Sequence, residues 1–240
     1  MMKLTERLPR QPVWLLVSRI LREQAQGMLA QLAMQLRLRD RARLAPRDFE
    51  APDSAWARSA VELVAKVSPT FLLNHGVRSY AFGAALGRLY GIRFDPEVLF
   101  LATVMHDLGL TEQGAGPEPF ELQGARAARD HLLGEDFAQE RADLVHEAIA
   151  LHASVGVASK GSPEVRLCHF GTGVDVAGLR LYAFERGGVD QLIDRWPRAD
   201  FKCAFSELLE REARLKPDSN IAGLVGLGFV GRVRGAAFPE

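Results

Sequence analysis

Six histidines stand out as groups able to ligate a metal or move a proton near neutral pH: His75, His106, His131, His146, His152 and His169. His75 shares a helical stripe with Ser79, Phe82, Leu86 and Tyr90, which predicts that its ring faces the interior. His106 falls on the stripe of Leu99, Ala102 and Thr103; Asp107 follows it, and Gly109 is a helix-ending glycine. An inward imidazole and an inward carboxylate at a helix end suit a divalent ion. Neutral imidazole and carboxylate oxygen satisfy zinc or divalent iron, and the ion offsets the penalty of burying the carboxylate. Asp175 sits in Gly171-Thr172-Gly173-Val174-Asp175-Val176-Ala177-Gly178, on a helical face shared with Gly171 and Gly178. Such small neighbours leave room for another element or an ion beside the carboxylate, although the same context also suits an aspartate capping a helix N-terminus.

Other residues have more than one reading. His152 lies on the inward stripe of Val145, Ala148 and Ile149, as a base beside the site, a ligand of a second ion, or a core histidine. Glu121 follows a Gly/Pro-rich loop and reads as a proton shuttle or as a first-turn glutamate favoured by the helix dipole. Arg78, one turn beyond His75, could hold an anionic substrate or pair with a carboxylate. His131 and His146 are expected to be solvated or structural, and Cys168-His169 lacks a third partner for nucleophilic catalysis. Two motifs are decoys. Gly226-Leu227-Gly228-Phe229-Val230-Gly231 matches G-x-G-x-x-G, yet too few residues follow it to complete a dinucleotide-binding unit. His146-Glu147 with His152 has the wrong spacing for a zincin helix, whose histidines stand four apart on one face.

The elements that must position these residues are helical. Apolar residues recur at helical spacing over 13–38, 55–67, from Ser68-Pro69 to Tyr90, and over 95–108, 120–133, 137–153, 174–184 and 198–214. Capping signals support the starts: Asp53 or Ser54 before residue 55, and Asp95 followed by Pro96. Thr111–Pro119 reads as a loop, and alternating strand patterns are nearly absent, so the fold class is all-α. The division into domains is residues 1–48, an N-terminal amphipathic extension and linker, and residues 49–240, the main domain. The extension's apolar side needs a partner, its own domain or a second subunit, which allows a homo-oligomer.

Composition narrows the function classes. With 240 residues, 30 Lys+Arg against 30 Asp+Glu and 48% hydrophobic residues, the chain is of ordinary globular make-up. Zero net charge argues against a nucleic-acid partner. Two cysteines do not make a disulfide framework. The apolar run Val13–Val17 is too short for a signal peptide or a membrane span, so a cytoplasmic protein with no membrane partner is expected.

The order His75 … His106-Asp107 … Asp175 resembles the H…HD…D signature of the HD-domain superfamily of metal-dependent hydrolases. Asn74-His75-Gly76-Val77-Arg78-Ser79-Tyr80, Phe100–Leu110, Phe120-Glu121-Leu122-Gln123-Gly124-Ala125, Ala148-Ile149-Ala150-Leu151-His152, Trp196–Lys202 and Lys216-Pro217 are similar to its cyanamide-hydratase-like branch. The resemblance covers roughly residues 52–235. It implies a helical bundle around one divalent ion held by His75, His106, Asp107 and Asp175, with zinc first and iron or manganese as alternatives. It also implies a small-molecule substrate, water activated on the metal, hydration of cyanamide to urea, and proton delivery by Glu121 or His152. Two alternatives stand beside it. One is an HD phosphohydrolase acting on a nucleotide or phosphate ester, with cations from Arg78, Arg126, Lys160 or Lys202, and with His131 and His152 serving a second ion in a two-metal form. The other is a non-catalytic metal- or ligand-binding HD module.

Overall fold

The computed structural model describes residues 11–114 and 116–238, and within them the all-α expectation is borne out. Eleven α-helices form: α1 (Val13–Gln35), α2 (Ala55–Val67), α3 (Thr70–Leu89), α4 (Pro96–Met105), α5 (Phe120–Gly134), α6 (Gln139–Leu151), α7 (Pro163–Ala177), α8 (Arg186–Arg195), α9 (Phe201–Leu215), α10 (Asn220–Gly226) and α11 (Phe229–Arg234). The β structure among the described residues is a single bridge between Ala42 and Phe184. Caps act where the sequence places them. Ser54 accepts a hydrogen bond from the Ala57 amide, and Asp95 accepts from the amides of Glu97 and Val98 ahead of the N1 proline.

One boundary differs in a way that matters. The expected helix over 174–184 is instead α7, which starts at Pro163 behind a Ser162 cap and stops at Gly178, whose φ of 65° lies in the left-handed region. Asp175 therefore occupies the last turn of a long helix and does not cap an N-terminus. Helices α8, α10 and α11 lie in stretches with no assigned pattern, being short and polar or glycine-interrupted. The formal G-x-G-x-x-G falls across the end of α10 and the start of α11, with no strand before it.

The core of the bundle is α3 packed against α4 and α7. Glycine makes this close approach possible at two positions. A Cβ on Gly76 would come within 2.8 Å of the Val104 Cα, and one on Gly171 would collide with the Ser79 carbonyl oxygen. Backbone-to-backbone packing of this kind brings His75 on α3, His106 at the end of α4 and Asp175 on α7 into one place. Around them lie two apolar clusters. The larger joins α2 to α7, while the smaller is built from Phe201, Phe205 and Leu209 of α9, Ile221, Val230, and Leu16 of α1. Helix α1 is fastened to the bundle on one side only, through buried Leu16 and Met34 and through Arg19, which donates to the Val155 carbonyl at 3.2 Å. The segment that follows also packs inward, with Ala42, Leu44 and Phe49 buried and Asp48 paired with Arg88 at 2.9 Å.

Candidate metal centre

Helix α3 carries His75 inward because α4 and α7 pack on it and its residues from Asn74 to Gly87 are buried. Its Nδ1 lies 2.7 Å from Asp175 Oδ2. A carboxylate with a lowered pKa can only accept, so Nδ1 carries the proton and Nε2 presents its lone pair. Helix α4 ends at Met105, and His106 is its C-cap residue. The His106 Nδ1 lies 2.6 Å from the Thr103 carbonyl oxygen, which is also only an acceptor, so His106 too presents a bare Nε2.

These two lone pairs face each other at 3.1 Å. Beside them, His106 Nε2 is 3.2 Å and His75 Nε2 is 3.7 Å from Asp107 Oδ2. Neither oxygen of Asp107 makes a hydrogen bond, although the side chain is buried. Three ligand atoms therefore converge, all within 4.8 Å of one another. Negative and lone-pair density gathered in this way calls for a cation, and two imidazoles with one carboxylate suit zinc or divalent iron. These residues fit a divalent ion.

Electrostatics follow the same arrangement. Burial alone would raise Asp107, but His106 and His75 outweigh it and hold its carboxyl at about 2. Burial pulls His106 down, yet Asp107 and the Thr103 carbonyl overcome this and leave it raised. His75 is lowered because desolvation exceeds the pull of Asp175.

The fourth residue of the expected ligand set, Asp175, stands behind His75 and apart from this trio. Its Oδ1 accepts from Arg78 Nε at 2.8 Å and from an Arg198 N–H at 3.0 Å; its Oδ2 accepts from Arg78 at 2.8 Å and from His75. Burial would raise its pKa, but the two guanidiniums and the imidazole hold it far below the usual carboxylate range. A carboxylate hydrogen-bonded to the far nitrogen of a metal-binding histidine fixes the tautomer and orientation of the ring. Of the two readings of Arg78, the structure shows the carboxylate pair. The side chain is fully buried, and its remaining donor reaches the carbonyls of Trp196 and Pro197.

His152 lies against the centre, its ring centroid 4.8 Å from that of His106. Its Nδ1 donates to the Ile149 carbonyl at 2.6 Å, leaving Nε2 as an acceptor, and burial first, then the charge of His106, lowers its pKa to about 3. Glu121, in the first turn of α5, is buried with Oε2 lacking a hydrogen-bond partner. Desolvation, together with the nearby charges of Glu212 and Asp107, pushes it up to about 7. His131 is elsewhere, bonded to Ser59 of α2 at 3.0 Å, and so does not join the centre as a ligand of a second ion. His146 is buried, not solvated.

Three features escape sequence reasoning. Arg198 supplies the second guanidinium on Asp175, and its only sequence signal is its place in Trp196-Pro197-Arg198. Phe201 and Phe205 stack on each other and against the His75 ring, at 4.8 and 5.6 Å. A cavity of about 530 Å³ opens among Phe71, Leu72, Leu110, Thr111 and Leu208, and Phe71 contacts Phe201 edge-on.

Among the described residues no helix is long and apolar enough to cross a membrane. No protein-family model matches the chain. The chain is similar to two yeast proteins of Saccharomyces cerevisiae, cyanamide hydratase DDI2 and cyanamide hydratase DDI3, each 25% identical over 178 residues that cover 72% of this chain and 79% of the relative.

Proposed function

We propose that this protein is a metal-dependent hydratase of the HD type that adds water to a small nitrile-like molecule, with cyanamide giving urea as the reaction. The observation that carries the reading is the trio of His75, His106 and Asp107, three buried acceptors facing one another with both imidazole tautomers fixed from behind. Likeness to two proteins named cyanamide hydratase supports the choice of substrate. A divalent ion held by the trio, with zinc as the first candidate, would acidify a water molecule and polarise the substrate.

The chain's own groups supply the rest. Asp175, anchored by Arg78 and Arg198, keeps the Nε2 of His75 turned toward the centre. His152 stays neutral at physiological pH and offers Nε2 as a hydrogen-bond acceptor that can orient water. Glu121, near half-protonated at neutral pH, can return a proton to the substrate nitrogen as the C–O bond forms. Phe120, Phe201 and Phe205 exclude bulk water. The phosphohydrolase alternative needs cations around the phosphate, but the guanidiniums beside the centre, Arg78 and Arg198, are both held by Asp175. Arg126 pairs with Glu118 on the surface, and Lys202 donates to the Phe238 carbonyl.

Metal content per chain and urea release from cyanamide, measured for the wild type and His106→Ala, test the proposal. One ion per chain with urea release, both lost in the variant, is expected. Protein that takes up no divalent ion on addition would overturn it in favour of the non-catalytic module. Metal with phosphate-ester cleavage but no urea would overturn it in favour of the phosphohydrolase.

A further inference from the structure

Helix α1 presents an apolar ridge on the side facing away from the bundle. At 100° per residue, Trp14, Leu21, Ala25, Leu29, Leu32 and Leu36 fall within about 40° of a line through Ala25, with Ser18 among them, Met28 and Val17 along one edge and Arg22 along the other. Buried Leu16 and Met34 lie diametrically opposite, so the side that faces solvent is the more apolar one. Trp14 is 71% exposed, Met28 72% and Leu29 69%. The exposed parts of the large side chains on this ridge amount to roughly 800 Å² of apolar surface, where a monomer's largest patch is commonly ~300–600 Å² and a specific interface buries ~800 Å² per partner.

We propose that this ridge is the dimer interface of the protein, with α1 packing antiparallel on α1 of a second copy about a twofold axis at Ala25. The ridge is arranged for that symmetry. Leu21 and Leu29 stand four residues either side of Ala25, and Trp14 and Leu36 eleven either side. Antiparallel pairing would therefore set Leu21 against the partner's Leu29 and Trp14 against the partner's Leu36, as a self-complementary interface requires. The small Ala25 side chain at the axis lets the two helices approach closely. Charge favours the same occupant. Arg22 is the exposed charged residue of α1, while Arg19 turns in to Val155 and Glu23 lies 4.0 Å from His169. A helix that lies on an anionic membrane surface has lysines or arginines along its polar face, whereas Gln24, Gln31 and Gln35 flank this ridge. In the antiparallel register the single cation at the edge of the ridge, Arg22, stands against the partner's Met28, so no like charges are placed opposite each other. Because the other side of α1 is fastened to the bundle, the ridge is already ordered and association orders little further chain.

Sedimentation of the full chain at micromolar concentration should give twice the monomer mass of 26.4 kDa, and Leu21→Glu/Leu32→Glu should halve it with the helical circular dichroism unchanged. Should that variant fail to fold, Ala25→Cys in a Cys203→Ser background, mildly oxidised with oxidised glutathione, should give a covalent dimer that Cys203→Ser alone does not. A wild type that sediments as a monomer, a dimer that survives the double substitution, or a monomer that instead floats with phosphatidylcholine vesicles would overturn the proposal.

Discussion

Glu121 sits where a carboxylate gains least from being charged. It is fully desolvated, Oε2 has no hydrogen-bond donor, and Glu212 and Asp107 add negative charge nearby. Its folded-state pKa of about 7 lies above the 4.5 of the free side chain, so the folded protein holds the extra proton between those values. Stability from this group is therefore present at low pH and lost as pH rises through 7, by on the order of 3 kcal/mol for a shift of that size. In the metal-free protein, Glu121→Gln should remove this slope and make the variant more stable than the wild type at pH 8, while the two converge near pH 5. Urea denaturation across that range measures it, and equal slopes would show that the carboxyl is solvated. Activity should move the other way. A lost proton donor costs about 10²–10⁴-fold in rate, so a variant that is sturdier at pH 8 and slower at every pH separates a catalytic role from a structural one.

Helices α3 and α4 set the distance between His75 and His106, and Gly76 sets how close those helices come. An added methyl at Gly76 meets the Val104 Cα at 2.8 Å and the Thr103 oxygen at 2.9 Å, both backbone, so the helices must separate. The same Thr103 carbonyl fixes the His106 tautomer, which couples packing directly to the donor set. Gly76→Ala should cost ~1–3 kcal/mol of stability and weaken divalent-ion binding at least ~10-fold, as overpacking and disturbed outer partners each do. Gly134→Ala, where a methyl meets nothing within 4 Å, is the control and should be near neutral. Denaturation and metal titration of the two variants decide the matter; loss of stability without loss of metal affinity would detach the helix spacing from the centre. What the sequence tells about these elements follows the range of the forces involved. Caps and apolar stripes are local, so α2, α3 and α4 and the inward course of His75 and His106 are legible from residue order. The start of α7 is less so, because Gly171 reads as a helix breaker until α3 is known to press against it. Asp175 illustrates the limit. Its burial is legible, but its partner Arg198 is 23 residues away, just ahead of α9, and nothing local says that two guanidiniums meet there.

The molecule as a whole is built around a buried charge cluster between its two apolar clusters. In the metal-free protein Asp107 leans on His106 and His75, which hold its carboxyl at about 2, and on Asp107 the raised pKa of His106 depends in turn. An ion that binds this folded arrangement and not the unfolded chain adds stability, by ~2.7 kcal/mol when present at 100 times its dissociation constant. For a chain of this length a change of 1 kcal/mol moves the melting temperature by ~2–4 °C. Saturating zinc should thus raise the Tm of chelator-stripped protein by about 5–11 °C. In His106→Ala the same addition should leave Tm almost unchanged, because the remaining His75 and Asp107 no longer close a site. The sign of the substitution in metal-free protein is the sharper test. Removing His106 takes away the group that does most to hold the Asp107 carboxyl down, so metal-free His106→Ala should melt clearly below metal-free wild type. A stripped variant that melts with the stripped wild type would mean that His106 and Asp107 do not support each other without the ion, and that the three side chains are held together by the packing of the bundle alone.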